Sequence, residues 1–289
     1  MRGRRHVAVA VRRPDGQIAV RTEPIGQLYL GRLRRFPFLR GLLALVEMLS
    51  LGSRALLYSA NVALGKDESA GSAGMLWGML VPALALGVGL FFLLPVLAVR
   101  LLDEALGSPL ASNLAEGGIR LALFLGYLWL ISRAKDIRRV FAYHGAEHKT
   151  IHAHEAGVPL EPRQVQRFST AHPRCGTSFL LAVVVVSILV FALLGTPPLW
   201  LRLLSRVLLL PAIAGASYEI IRLGAAHGRH GLLEWLRWPG LALQALTTRE
   251  PGDDQVEVAI QAFTAVVQAD AAGEAATTPQ TMALGTPGG

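Results

Sequence analysis

The chain has 289 residues, 52% of them hydrophobic, and a formal net charge of +8 carried mostly by arginine. Its single cysteine excludes an internal disulfide. The arginines are spread around apolar segments rather than gathered with aromatics, and no G-x-x-x-x-G-K loop occurs. Nucleic-acid binding and P-loop chemistry are therefore set aside.

From the N-terminus, residues 6–23 read HVAVAVRRPDGQIAVRTE. Two alternating patterns flank Pro14-Asp15-Gly16, which predicts a small β-hairpin. Arg32, Arg34, Arg35 and Arg40 follow as a basic collar and close a first unit, residues 1–40. Residues 41–64 are apolar at helical spacing but include Glu47 and Arg54. Each charge costs about 2.5–3.5 kcal/mol at mid-membrane, so an interfacial or protein-buried helix is expected, with a membrane span left as the alternative. Residues 66–74, KDESAGSAG, read as a polar loop.

Residues 75–99 and 175–201 carry no charge, and about 20 such residues cross a hydrocarbon core. Two shorter uncharged cores, 121–132 and 207–218, lie between Arg120 and Arg133 and between Arg206 and Glu219. The expected fold is mainly α. It is a polytopic helical membrane protein with about four membrane segments in two hairpins, a small N-terminal β-hairpin and an amphipathic C-terminal helix. Residues 41–250 form the membrane core, with a cytoplasmic histidine-rich segment at 134–176. Arg133, Lys135, Arg138 and Arg139 follow the second segment, and Arg222, Arg229, Arg237 and Arg249 follow the fourth, whereas residues 100–116 carry Asp103, Glu104 and Glu116. Positive loops stay inside. A multi-pass cell-membrane protein with both termini cytoplasmic is expected, and the GTPP loop at 195–198 outside. In the last unit, 251–289, Val256, Ile260, Phe263 and Val267 share one helix face behind Asp253 as N-cap, with disorder expected beyond Ala271.

Between the second and third segments stands YHGAEHKTIHAHE, residues 143–155. A helix over 133–156 puts His144 and His148 on one face with Glu147 between them, in the order H-x-x-E-H. Two imidazoles one turn apart can grip one zinc ion, and a carboxylate beside them can act as general base. His152 extends the stripe and Glu155 follows. The alternative is a solvated basic helix face. HPRCGTSF, residues 172–179, then opens the third segment with His172 and Cys175. A lone cysteine is also read as a small buried hydrophobe or as a nucleophile served by histidine. Glu219, three residues before Arg222, is either a ligand or the partner of Arg222 or Arg206. Under the expected topology these motifs meet at the cytoplasmic membrane boundary.

The stretches YHGAEHKTI, HPRCGTSFLL, LLLPAIAGASYE, PGLALQALTTREP and DDQVEVAIQA resemble the YqhQ-like family across residues 7–267. These are bacterial membrane proteins described as predicted metal-dependent enzymes. The resemblance covers His144, Glu147, His148, His172, Cys175, Tyr218 and Glu219, and also Arg174 and Lys149. It implies a divalent metal, zinc by donor chemistry. Relatives place a glycine-rich GGQAV stretch ahead of MRG, where this chain begins, and any role for it is not carried over. His154 stands where relatives have tyrosine and is not taken as a ligand.

Three functions are expected to compete. The first is a hydrolytic metalloenzyme with Glu147 as catalytic base and His144, His148, His172, Cys175 and Glu219 as ligand candidates. Tyr218, Arg174, Lys149 and His152 support it, and the partners are the bilayer and an unknown protein or lipid substrate. The second is a metal or small-molecule transporter lined by Arg120, Arg206 and Glu219. The third is a membrane scaffold whose histidines are structural.

Overall fold

The computed structural model describes residues 1–26, 29, 31, 35–37, 39–65, 73–173, 175–226 and 231–277. Arg32, Arg34, Arg174, Arg229, most of the 66–74 loop and the tail from residue 278 lie outside the described residues.

Strands β1 (His6–Arg12) and β2 (Ile18–Pro24) pair antiparallel, with Arg12 opposite Ile18. Asp15 accepts from Gln17 N–H at 3.0 Å, and Gly16 takes φ 87°, a left-handed conformation that glycine adopts without steric cost. After α1 (Leu39–Ala63), α2 (Ala73–Val88), a π turn (Gly89–Leu93) and α3 (Leu94–Arg100) form one apolar rod. A short α4 (Asp103–Leu106) leads to α5 (Pro109–Ile131), whose N-cap Ser108 accepts from Ala111 N–H at 3.1 Å. Then come α6 (Lys135–Glu155), α7 (Pro162–Val165), α8 (Thr177–Ala192), α9 (Leu199–Leu208), α10 (Leu210–Ala226), α11 (Gly231–Thr247) and α12 (Asp253–Thr277). The fold is mainly α with one two-stranded hairpin.

Among the described residues, three helices are long and apolar enough to cross a membrane, Leu39–Ala63, Trp77–Arg100 and Pro109–Ile131. The pair α9 and α10, bent by 46°, makes a fourth if it is one broken span. The bend falls where Pro211 cannot continue the hydrogen-bond ladder. The 16-residue α8 is shorter, and it packs against α5, α10 and α11. Phe124, Leu128, Val184 and Leu243 form one apolar centre of this bundle, and Val186, Phe191 and Ile213 a second.

Residues 121–132 are not a short segment, because α5 begins twelve residues before Leu121 at Pro109. It takes in Glu116 and Arg120, which pair at 2.6 Å one turn apart with both side chains inaccessible to solvent. The pairing removes the obstacle that the two charges posed. Helix α6 does not continue α5. Residues 132–134 turn, Ser132 Oγ donates to Trp129 O at 2.8 Å, and Ala134 takes an extended conformation.

Outside the bundle, α12 lies between α6 and the hairpin. Ala146 and Ala153 of α6, Val165, and Val256 and Ala259 of α12 make its core. Because α12 is covered on two sides, its buried face is Gln255, Val256, Val258, Ala259, Ala262 and Val266, and Val267 is exposed. Its N-terminal cap is Gly252, whose N–H donates to Gln255 Oε1 at 3.0 Å, with Asp253 already helical. The helix runs past Ala271 to Thr277, through strong helix formers such as Ala272 and Ala275.

Helix α1 is the informative exception among the apolar helices. Its N-terminal end packs on α10, where Gly41 meets Tyr218 and Gly215. Its remaining length carries the hairpin: Glu47 accepts from Arg2 at 2.8 Å, Arg54 faces Glu23, and Tyr58 and Val62 pack on Val11 and Ala19. Were α1 to cross, it would draw the charged hairpin and its open strand edges into hydrocarbon. The hairpin also contacts α12, which packs on α6, so these elements share one side of the bundle. Cysteines introduced as Asp15→Cys and Leu64→Cys are therefore expected to react with an impermeant thiol reagent from the same side of sealed vesicles. Labelling from opposite sides would mean that α1 crosses.

Candidate metal centre

The centre is built on α6. His144 and His148 are one turn apart, with ring centroids 4.3 Å from each other. His144 Nδ1 lies 2.8 Å from Thr247 O, and His148 Nδ1 lies 2.6 Å from Thr170 O. A carbonyl only accepts, so each Nδ1 carries the hydrogen, and each Nε2 presents a lone pair when the ring is neutral. Such a carbonyl behind an imidazole fixes its tautomer and orientation for metal binding.

Facing them is Cys175, at the N-terminal end of α8. Its Sγ is 3.2 Å from His144 Nε2 and 3.2 Å from Thr177 Oγ1, and it accepts from Thr177 N–H at 3.4 Å. Burial pushes this thiol up, but hydrogen bonds from His144, His148 and Thr177 outweigh it and bring the pKa down to about 5. Burial pushes His144 down, and the Cys175 hydrogen bond and charge, with Thr247 O and the Glu147 charge, more than reverse it, so its pKa is raised. The thiolate that a metal needs is thus the favoured form.

Ligand atoms of His144, His148 and Cys175 lie within 4.8 Å of one another, and so do those of His152, Glu155 and His172. Each set could hold a metal ion. The two sets are contiguous, since the His172 ring lies 5.6 Å from His148 and 4.6 Å from His152. His172 is fixed through its backbone, its N–H donating to Gln244 Oε1 at 2.8 Å and its O accepting from Gln244 Nε2 at 2.9 Å. His152 Nε2 is 2.9 Å from Ala171 O.

Several expected residues are placed elsewhere. Glu219 is paired with Arg40 in a two-pronged ion pair, and it belongs to neither metal-capable group. Tyr218 packs beside it against Gly41. Lys149 is buried and ties α6 to the neighbouring turns, donating to Gln166 O and to Glu250, both at 2.8 Å. Glu147 is half-buried and belongs to neither metal-capable group, although its charge acts on His144.

The residues passed over in the sequence are ones that position the candidate histidines. Gly145 is the clearest. A Cβ there would collide with Arg249 O, so the 247–250 segment can lie against α6 only across a glycine. That contact lets Arg249 N–H reach Phe141 O at 3.0 Å and brings Thr247 O to His144. The signal was a helix-weakening glycine inside a histidine motif. Gln244 and Thr247 stand in PGLALQALTTREP, a stretch that carried the family resemblance and no reading of its own.

Two outcomes follow. In metal-free protein, alkylation of Cys175 by iodoacetamide is expected to change by less than about twofold between pH 8 and pH 6, because a thiol with a depressed pKa stays ionised until pH falls towards that pKa. An ordinary thiol would slow by roughly 70-fold, and His144→Ala is expected to move towards that behaviour. Gly145→Ala should displace Thr247 O and lower metal affinity about 10–100-fold, as loss of an outer partner does. Unchanged affinity in a titration of Gly145→Ala would show that Thr247 does not orient His144.

Among known proteins, an uncharacterised protein of Bacillus subtilis (strain 168), YqhQ, is 36% identical to the chain, over 94% of this chain and 90% of its own length. No solved structure matches. The model of a family described as "Protein of unknown function (DUF1385)" matches residues 36–269. With that match and the Bacillus relative, the chain belongs to the DUF1385 family.

Proposed function

We propose that this protein is a membrane-embedded, metal-dependent hydrolase whose centre, at the cytoplasmic membrane boundary, is formed by His144, His148 and Cys175. The observation that carries the reading is the convergence of three soft or borderline ligand atoms within 4.8 Å, with backbone carbonyls behind both imidazoles. Three protein ligands with a fourth position left for water or substrate is the pattern of catalytic zinc rather than structural zinc. Zinc bound there supplies Lewis acidity and lowers the pKa of water towards neutrality.

The chain's own residues do the rest. Thr177 holds the Cys175 sulfur through both its N–H and its hydroxyl. Glu147, on the same face of α6, accepts a proton from the attacking water and returns it to the leaving group. His152, Glu155 and His172 extend the polar floor on which a substrate group can be oriented. The substrate reaches this site from the lipid boundary, which suits a peptide or lipid-derived molecule. The arginines that follow the second and fourth segments support the cytoplasmic placement.

A second reading has one observation in its favour. The low pKa of Cys175 beside His144 also suits a metal-free cysteine nucleophile with a histidine base. The transport reading loses support, because Glu219 pairs with Arg40 while Arg120 and Arg206 gather on Glu116 in the opposite half of the bundle.

Metal content decides between the first two. Protein purified in detergent without a histidine tag is expected to carry zinc, and His148→Ala to lose it. Glu147→Gln should keep the metal and lose about 10²–10⁴-fold in turnover once a substrate is in hand. Absence of metal from folded, reconstituted wild type would favour the cysteine nucleophile.

A further inference from the structure

The opposite end of the bundle holds a second polar site. Glu116, at the bottom of it, is fully buried and accepts from three arginines: Arg120 at 2.6 Å, Arg206 at 2.6 and 2.9 Å, and Arg202 at 3.1 and 3.2 Å. Asn113 takes a further Arg206 bond at 3.0 Å, and Arg120 also donates to Phe91 O in the π turn at 2.9 Å. Arg202 reaches past Glu116 to Asp103 at 3.1 Å and to Ser112 at 2.9 Å. Burying such charges among apolar helices is expensive and marks a functional site by default.

Above Arg202 the network opens into a cavity of about 470 Å³, lined by Arg100, Asp103, Glu104, Ser112, Thr196 and Arg202 among others. The network and the cavity wall together hold four arginines, Arg100, Arg120, Arg202 and Arg206, against three carboxylates, Asp103, Glu104 and Glu116. The excess of one positive charge over network and wall favours an anion, and Arg100 stands exposed at the cavity to meet it. The N-terminus of α5, whose dipole also favours an anion, borders the same cavity through Ser108 and Pro109.

The cavity also lies at a boundary. α3 ends there, and α5 and α9 begin there. Leu101, Leu110 and Trp200, next in sequence to the lining residues Arg100, Pro109 and Leu199, are exposed, as contact with acyl chains and an interfacial tryptophan require. We propose that this cavity binds a phosphate-bearing group, between Arg100 and Arg202, at the membrane face opposite the histidines. The phosphate belongs either to a lipid headgroup or to a soluble phosphate, and the recognition chemistry is the same.

The test uses full-length protein in an uncharged maltoside detergent. Binding is measured for short-chain phosphatidylglycerol, for inorganic phosphate, and for short-chain diacylglycerol as an uncharged control. Saturable binding of the phosphatidylglycerol alone identifies a headgroup site, and binding of inorganic phosphate as well identifies a free-phosphate site. Arg100→Gln removes an exposed arginine outside the buried network, so the fold is retained, and affinity should fall roughly tenfold. Arg202→Lys should weaken binding further, because a point charge replaces a planar fork. Diacylglycerol binding as well as the phospholipid, no binding of either phosphate probe, or phosphate binding indifferent to Arg100→Gln would overturn the proposal. None of these results depends on whether the histidines bind metal.

Discussion

A charge placed among apolar helices must be met by a partner, and this requirement arranges the molecule at every level. Glu116 draws α5 and α9 together through two guanidinium groups, those of Arg202 and Arg206. Glu47 holds the N-terminal segment on α1 through Arg2, and Arg40 joins α1 to α10 through Glu219. Lys149 does the same for the layer outside the bundle. Breaking one partner of a buried pair typically costs about 3–5 kcal/mol, more than most single apolar contacts contribute. Helix packing then fills in around positions that electrostatics has already limited.

The same requirement explains what could be read in the sequence. A long uncharged run showed the rod of residues 77–100 directly, because hydropathy is a local property, whereas the run 175–201 is not one long segment: its helix, α8, stops at Ala192 before the Gly195–Pro198 break. Two charges concealed the true length of α5, since a sequence shows Glu116 and Arg120 as obstacles and not as each other's solution. Glu47 and Arg54 made 41–64 ambiguous in the sequence, and both prove to be met by the N-terminal segment, Glu47 by Arg2 and Arg54 by Glu23, in a helix that is nonetheless long and apolar enough to cross. The α12 stripe was displaced for a related reason: periodicity reports one buried face, and this helix has two neighbours.

The candidate centre was legible in its histidine pair and not in the groups that position it. Histidine spacing on α6 is local, so the pairing of His144 with His148 followed from helix geometry. That Cys175 rather than Glu219 would meet them depends on which loop folds over α6. The carbonyls of Thr170 and Thr247 carry no side-chain signature at all, because any residue offers one. Only Gly145 left a trace, by standing where a helix gains nothing from glycine.

The hairpin and α12 close on each other through contacts between the two ends of the chain. Asp270 accepts from Arg5 N–H at 3.0 Å and faces His6 Nδ1 at 2.9 Å, across more than 260 residues of sequence. Arg12 reaches Glu257 at 2.7 Å. The apolar helices lie between these partners in sequence, so the hairpin and α12 meet only if those helices return the chain to the side from which it set out. The Asp270–His6 contact is thus a reporter of correct insertion, lost when a helix is left out or turned over.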